Sequence, residues 1–312
     1  MGGTWLVVMD RDPRIRGAMH LGGSPRGRRA LAERRRPGNR NTAEEKMVSA
    51  SATFSGPEYY DKLLGPIYFD PFAVELVRRL PPRPPGGVLE IACGTGLVTR
   101  RLRERLDPAL HLTATDLSAA MLDYARAQLG ERKGIEWREA DALKLPFPDG
   151  AFGALVCGFG MMFVPDHQAM FREARRVLVE DGILLFSVWD RVEENPHALA
   201  NAEVVESLFP GDAEMRFRIP YAMHDPALLL RLLAGARFGE PRIETKRIAI
   251  DGADPRNLAT GQIRGTPRSA LIEKRGVPLE LVIDKVTAAL VYSGGNPYRG
   301  YAQAVIVEAQ AK

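Results

Sequence analysis

The sequence predicts an α/β protein built on a doubly wound, mostly parallel sheet. Three observations predict it. An apolar run at 88–92 leads into a Gly-X-Gly turn and then into a segment of helical spacing. From there, strand-like and helix-like segments alternate up to residue 189, which implies right-handed crossovers and helices on both faces. The last strand-like segment, 301–309, has no crossover helix before it, so it is predicted to enter the sheet antiparallel.

Composition bounds the class. The chain has 312 residues, 45% hydrophobic and 26% charged, enough for one large domain or one domain with a cap. No apolar run reaches the ~20 residues that span a bilayer. The two cysteines, Cys93 and Cys157, lie in apolar strand-like runs. They read as buried small hydrophobes of a reducing, cytoplasmic compartment. His, Cys and acidic residues show no metal-ligand spacing, so no metal is expected. Much of the net charge of +4 comes from residues 1–46, with Arg26, Arg28, Arg29 and the run Arg34-Arg35-Arg36. This basic extension reads as disordered: a solvated tail, or an upstream start with Met47 as the initiator. No aromatic residue interleaves with its arginines, so nucleic acid is not the expected partner.

Taken in order, the ordered part is expected from about Phe54. Tyr59, Tyr60, Asp61, Tyr68 and Phe69 form an aromatic entry, and Pro71 opens a helix over 72–80. The Pro/Gly-rich stretch 81–87 ends it and delivers the chain to the first strand. A helix at 96–106 leads to a strand at 110–115, with Asp116 at its tip. Ser118 caps a helix at 119–129, and Gly130 stops it. A strand at 135–139 leads to Asp141, and a loop at 144–150 leads to a strand at 152–157. Asp166 opens a helix from His167 to 179, and Asp181-Gly182 turns into a strand at 183–189. Beyond it, 195–223 reads as an insertion with some helix. Asp225-Pro226 starts a helix to about 236, and 241–250 alternates as a strand. Residues 258–290 are mostly helical, broken at Gly265-Thr266-Pro267 and Gly276-Val277-Pro278.

The glycine turn is the centre of interest. Glycine lets a ligand approach the backbone, and the helix beyond offers unpaired N–H groups. Thr99 stands where a dinucleotide fingerprint needs its third glycine, and the Gly-Lys-Ser/Thr of a P-loop is missing. Glu90 stands four residues before Gly94, where an acid suits amines and hydroxyls rather than a pyrophosphate.

The stretch Glu90-Ile91-Ala92-Cys93-Gly94-Thr95-Gly96 resembles the first motif of the class I S-adenosylmethionine-dependent methyltransferases, with Ala92 where many members have a glycine. Segments 141–149 and 175–184 are similar to later motifs of the ubiquinone/menaquinone C-methyltransferases. The resemblance covers about 88–189. Gly153 departs from it, since many relatives carry Asp there. The resemblance implies a Rossmann-like, seven-stranded sheet with its last strand antiparallel, S-adenosyl-L-methionine as cofactor, and a small-molecule acceptor. The expected organisation is an extension at 1–46 and a cofactor-binding core with N-terminal helices at 47–190. An insertion at 191–224 follows. Residues 225–312 then complete the sheet and add a helical cap at 254–296.

Each strand tip then has an expected role, because ligands of open α/β sheets bind beyond the carboxyl ends of the strands. Glu90 and the turn residues Ala92, Gly94 and Gly96 face the methionine part of the cofactor. Asp116 accepts both hydroxyls of the ribose, as a carboxylate can. Leu117 and Met121 flank the adenine, while Asp141 and the Ala142 N–H reach its edge. Gly158 and Phe159 leave carbonyls open to the ammonium group. Tyr60, Tyr68 and Phe159 are candidates for contact with the sulfonium and the acceptor. His167, His197 and His224 are the possible bases, with His167 best placed. The segments 191–224 and 254–296 are rich in Leu, Ile, Val and Ala and predict an apolar or aromatic acceptor. Two alternatives stay open: a nicotinamide-dependent oxidoreductase with a degenerate fingerprint, and a non-catalytic cofactor-binding interaction module. Monomer and homodimer are both compatible with the sequence.

Overall fold

A computed structural model describes residues 56–130, 134–216 and 218–312. The basic extension 1–46, Met47 and Phe54 lie outside the described residues. The sheet has strands β1 (Gly87–Glu90), β2 (Leu112–Asp116), β3 (Ile135–Glu139), β4 (Phe152–Gly158), β5 (Leu178–Trp189), β6 (Arg242–Ala253) and β7 (Tyr298–Gln310). Their order is β3-β2-β1-β4-β5-β7-β6. The first five pair in parallel, and β7 runs antiparallel to both β5 and β6. The predicted Rossmann-like sheet with an antiparallel last strand is therefore observed.

Burial explains the strand sequences. Val88 and Leu89 of β1 and Ala154 to Cys157 of β4 are buried, as central parallel strands covered on both faces must be. The edge strand β6 alternates between exposed and sheltered residues over most of its length. In β5 the register with β4 jumps from Leu178 to Ile183. The predicted Asp181-Gly182 turn is this excursion, with Asp181 at φ 59°.

Helices α3 (Leu97–Arg105), α4 (Ala119–Leu129) and α5 (His167–Val177) cross between the parallel strands. The predicted caps are in place. The Ser118 hydroxyl accepts from the Met121 N–H at 3.4 Å, and the Asp166 carboxylate from the Ala169 N–H at 2.8 Å. In the second half, Asp225 caps α7 (Pro226–Ala234) in the same way.

The amino-terminal region extends one expectation. Pro71 stands in the first turn of a helix, as expected, but that helix continues a longer rod. Segments α1 (Gly56–Tyr59), a wide-turned π segment (Tyr60–Phe69) and α2 (Asp70–Val77) follow one another without a break. Phe69 and Asp70 both keep helical dihedrals, and the Asp70 N–H donates to Gly65 O, five residues back. The wide turn accommodates Pro66 and Pro71, each of which lacks the N–H that a regular helix would use.

The later helices are α6 (Pro196–Leu208), α8 (Pro255–Arg264), α9 (Arg268–Lys274) and α10 (Leu279–Gly294). α10 packs on α6 and α8, and α8 packs on the π segment. Residues of 191–224 and of 254–296 thus meet in one helical layer with the amino-terminal rod. No helix among the described residues is long and apolar enough to cross a membrane.

Gly153, the departure from the expected motif, has a steric cause. A Cβ at this position would overlap the Pro85 carbonyl. The proline-rich connection crosses directly over the start of β4, and no side chain fits beneath it.

Candidate active site at the carboxyl edge of the sheet

The glycine turn begins where β1 ends. Ala92, Gly94 and Gly96 all take positive φ, at 52°, 54° and 85°. Glycine adopts this freely, whereas Ala92 adopts it at a steric cost. Two bonds from one side chain tie the turn to the tip of β2. The Gly94 N–H donates to Asp116 Oδ2 at 2.8 Å, and the Ser118 N–H to Asp116 Oδ1 at 2.8 Å. The Thr115 hydroxyl adds a bond to the Glu90 carbonyl at 2.9 Å. One strand further out, the Ala140 N–H donates to the Asp116 carbonyl at 3.0 Å, and Asp141 Oδ1 accepts from the Leu143 N–H at 2.9 Å. Glu90, Asp116 and Asp141 therefore end neighbouring strands on one edge, as their spacing predicted. Ala142 follows on the same loop, half-buried. Leu117 is 47% exposed at the β2 tip, while Met121 is buried one turn into α4.

The acids are not ordinary surface carboxylates. Glu90 is 1% exposed, and its Oε2 has no hydrogen-bond partner among the described residues. Burial pushes its pKa to about 8; Thr99 offsets part of this and the Asp116 charge adds to it. Burial also raises Asp116, against the bonds from Ser118 and Gly94 that favour its ionised form.

A connected aromatic group lies beside the turn. Phe159, held at φ 57° just past β4, stacks on Trp189 at the end of β5, with ring centroids 4.2 Å apart. Phe69 and Phe72 meet Phe159 edge-on at 5.5 and 5.3 Å. Tyr68 meets Trp189 at 5.5 Å, and Tyr60 stacks on Phe69 at 4.4 Å. Burial raises the pKa of the Tyr60 hydroxyl, and the nearby charges of Asp61 and Asp116 add to it. Gly158, at the end of β4, lies close against Val98 of α3.

The three histidines separate. His167 opens α5, with burial lowering its pKa against the Met162 backbone and the Asp166 charge, and its Nε2 lacks a partner among the described residues. His224 Nδ1 donates to the Tyr221 carbonyl at 2.7 Å. His197 alone joins the aromatic group, stacked on Tyr68 at 4.9 Å. Burial depresses its pKa to about 3. Trp189, Gln262, Asn201 and Arg268 are the residues that sequence reasoning did not single out. Trp189 could have been found, since it ends an apolar central strand on the ligand-binding edge.

Comparison with known proteins agrees with this geometry. Residues 89–186 match the model of the family described as "Methyltransferase domain". The demethylmenaquinone methyltransferase of Thermus thermophilus is 41% identical over 103 residues, covering 32% of this chain and 46% of the relative. That of Lactococcus lactis is 33% identical over 128 residues, covering 39% and 51%. The chain spans about half the length of the curated relatives it matches. Among solved structures, the YcgJ protein of Bacillus subtilis superposes with a TM-score of 0.52 at 15% identity, over 77% of this chain and 98% of that one. A putative methyltransferase of Bacillus halodurans gives 0.50 at 19% identity over the same shares. These two carry the fold. Sheet order, motif and family model converge: residues 89–186 match the methyltransferase domain family, and the sheet around them has the strand order and antiparallel last strand that the resemblance to the class I S-adenosylmethionine-dependent methyltransferases implied.

Proposed function

We propose that this chain transfers a methyl group from S-adenosylmethionine to a small apolar or aromatic acceptor. The observation that carries the reading is the Asp116 carboxylate, bonded to the Gly94 N–H of the turn and set beside buried Glu90. The residues present fit the cofactor. A Cβ at Gly94 would meet no atom of the described residues within 4 Å, and Glu90 Oε2 is a buried polar atom without a partner among them. When bound, the cofactor supplies a methyl group already activated by a positive sulfur.

The chain's task is then to bind, orient and exclude water. Asp116 would hold the ribose hydroxyls, Asp141 and Ala142 the adenine edge, and Leu117 and Met121 its faces. Glu90, Ala92, Gly94 and Gly96 would hold the methionine part, with the Gly158 and Phe159 carbonyls toward its ammonium group. Tyr60, Tyr68 and Phe159 would face the cationic centre. His167 keeps its place as a candidate base only if it reaches the acceptor. The relatives' name makes a quinone-type ring the first acceptor class to try. A cytoplasmic location belongs to the same proposal, on the two buried free thiols. The oxidoreductase alternative is disfavoured by the family match and by Thr99 in place of a third glycine.

Calorimetry tests the cofactor assignment. Asp116→Ala should weaken S-adenosylmethionine binding by on the order of 10–100-fold, from loss of hydrogen bonds to a charged acceptor. Asp116→Asn, which keeps the shape, controls for collapse of the turn. Unchanged affinity in Asp116→Ala, or tight NAD(P) binding with none of S-adenosylmethionine, refutes the reading.

A further inference from the structure

A buried polar chain runs through the helical layer and ends at the aromatic group. Its members are Arg268 on α9, Asn201 and His197 on α6, and Gln262 on α8, each under one-tenth exposed. The direction of every bond follows from the first. A guanidinium only donates, so Arg268 Nη1 faces Asn201 Oδ1. The Asn201 amide nitrogen then donates to Gln262 Oε1 at 2.8 Å. That leaves Gln262 Nε2 to donate to His197 Nδ1 at 3.0 Å and to the His197 carbonyl at 3.3 Å. His197 Nδ1 is therefore the bare, accepting nitrogen, and the proton of the neutral ring sits on Nε2.

This Nε2–H is buried and has no partner among the described residues. A buried donor left unpaired is costly, and a ligand atom can complete it. The ring that carries it stacks on Tyr68 and meets Trp189 edge-on at 6.3 Å. Trp189 stacks on Phe159, which is followed by Gly160, packed against Ala92 of the glycine turn. One continuous series of buried ring contacts thus connects the turn to His197. The same bonding excludes His197 as the base considered from sequence, because its Nδ1 lone pair is already engaged and its Nε2 already carries a proton.

We propose that the His197 Nε2–H is a hydrogen-bond donor to an oxygen on a planar methyl acceptor, and that Arg268, Asn201 and Gln262 are positioning residues that hold this tautomer. The proposal rests on the methyl-transfer reading of the sheet edge and narrows its acceptor class. The ring carries a hydroxyl, ionised hydroxyl or carbonyl oxygen. A purely hydrocarbon ring would leave the donor unpaired.

The test uses the full chain with two probes of equal ring size, 4-nitrophenol and nitrobenzene, titrated against tryptophan fluorescence. His197→Phe should weaken 4-nitrophenol binding roughly tenfold and leave nitrobenzene within about twofold. His197→Gln, which keeps a donor, should recover most of the loss. Equal loss of both probes, no loss of either, or no binding of 4-nitrophenol to the wild type overturns the proposal. Nitrogen-15 NMR of histidine-labelled protein gives an independent reading if His197→Phe does not fold. His197 should be the neutral Nε2–H tautomer at neutral pH, and Gln262→Leu should remove that preference. An Nδ1–H tautomer or an imidazolium in the wild type overturns the proposal as well. Calorimetry with S-adenosylmethionine on the same samples separates the two readings. Intact cofactor binding with failed probe results refutes the role of His197 alone, whereas wild type that binds no cofactor refutes the methyltransferase reading.

Discussion

Replacing Glu90 by glutamine should change how the protein's stability depends on pH. The folded chain holds a proton on Glu90 up to about pH 8, whereas the ordinary value for a glutamate is 4.5. Between those limits the folded state binds a proton that the unfolded state has released. Stability therefore falls as pH rises through that window, and it is fully present below it. Burial is the first cause, because ionisation would set a charge out of reach of water, and the bonds from Thr99 offset only part of that cost. A window of about 3.5 pH units at about 1.4 kcal/mol each makes the loss on the order of 5 kcal/mol. That is a third or more of the ~5–15 kcal/mol that holds a domain together. Glutamine has nearly the same shape and no proton to lose. Urea unfolding at pH 5 and pH 8.5 should show the two proteins close together at the lower pH. At the higher pH the variant should be the more stable by several kcal/mol. Asp116 is shifted in the same direction, but it is present in both proteins and largely cancels in the difference. Parallel stability curves across the range would refute the account of Glu90 as a buried, protonated acid.

Three other outcomes are expected. Gly153→Ala drives a methyl group into the Pro85 carbonyl and should cost more than about 3 kcal/mol or prevent folding. A melting temperature within a few degrees of wild type contradicts the steric account. Ala92→Gly relieves a left-handed conformation and should raise stability by up to about 1 kcal/mol, measured by urea unfolding. A loss there would mean that packing of the Ala92 methyl against Gly160 outweighs the strain. Trp189→Ala removes the ring on which Phe159 and Tyr68 rest and should cost about 3–5 kcal/mol by thermal unfolding. An effect below about 1 kcal/mol would show that the aromatic group packs without it.

The sheet was readable because its signals are local. Apolar runs bounded by Ser118, Gly130, Asp166 and Gly182 announce strands and helix ends within a few residues of where they fall. The acid edge was readable for a related reason. In a parallel sheet the strand tips align, so carboxylates just after successive apolar runs must gather. The helix that Pro71 opens was readable from that proline, whereas the wide-turned segment before it was not, because Pro66 lies inside it. The polar chain from Arg268 to His197 had no sequence signature at all. Its members come from three helices up to 71 residues apart, and only packing brings them together.

The position of β7 has a consequence for assembly. Among the described residues β6 pairs with β7 alone, and β7 fills the gap that separates β6 from β5. During synthesis, the five parallel strands and the glycine turn are complete while β5 still presents an open rim and β6 has no neighbour. An unpaired rim of this kind invites pairing with another chain. Arrival of residues 298–310 seals both at once, so a chain cut before Tyr298 should keep its ligand-facing edge yet clump with its own copies.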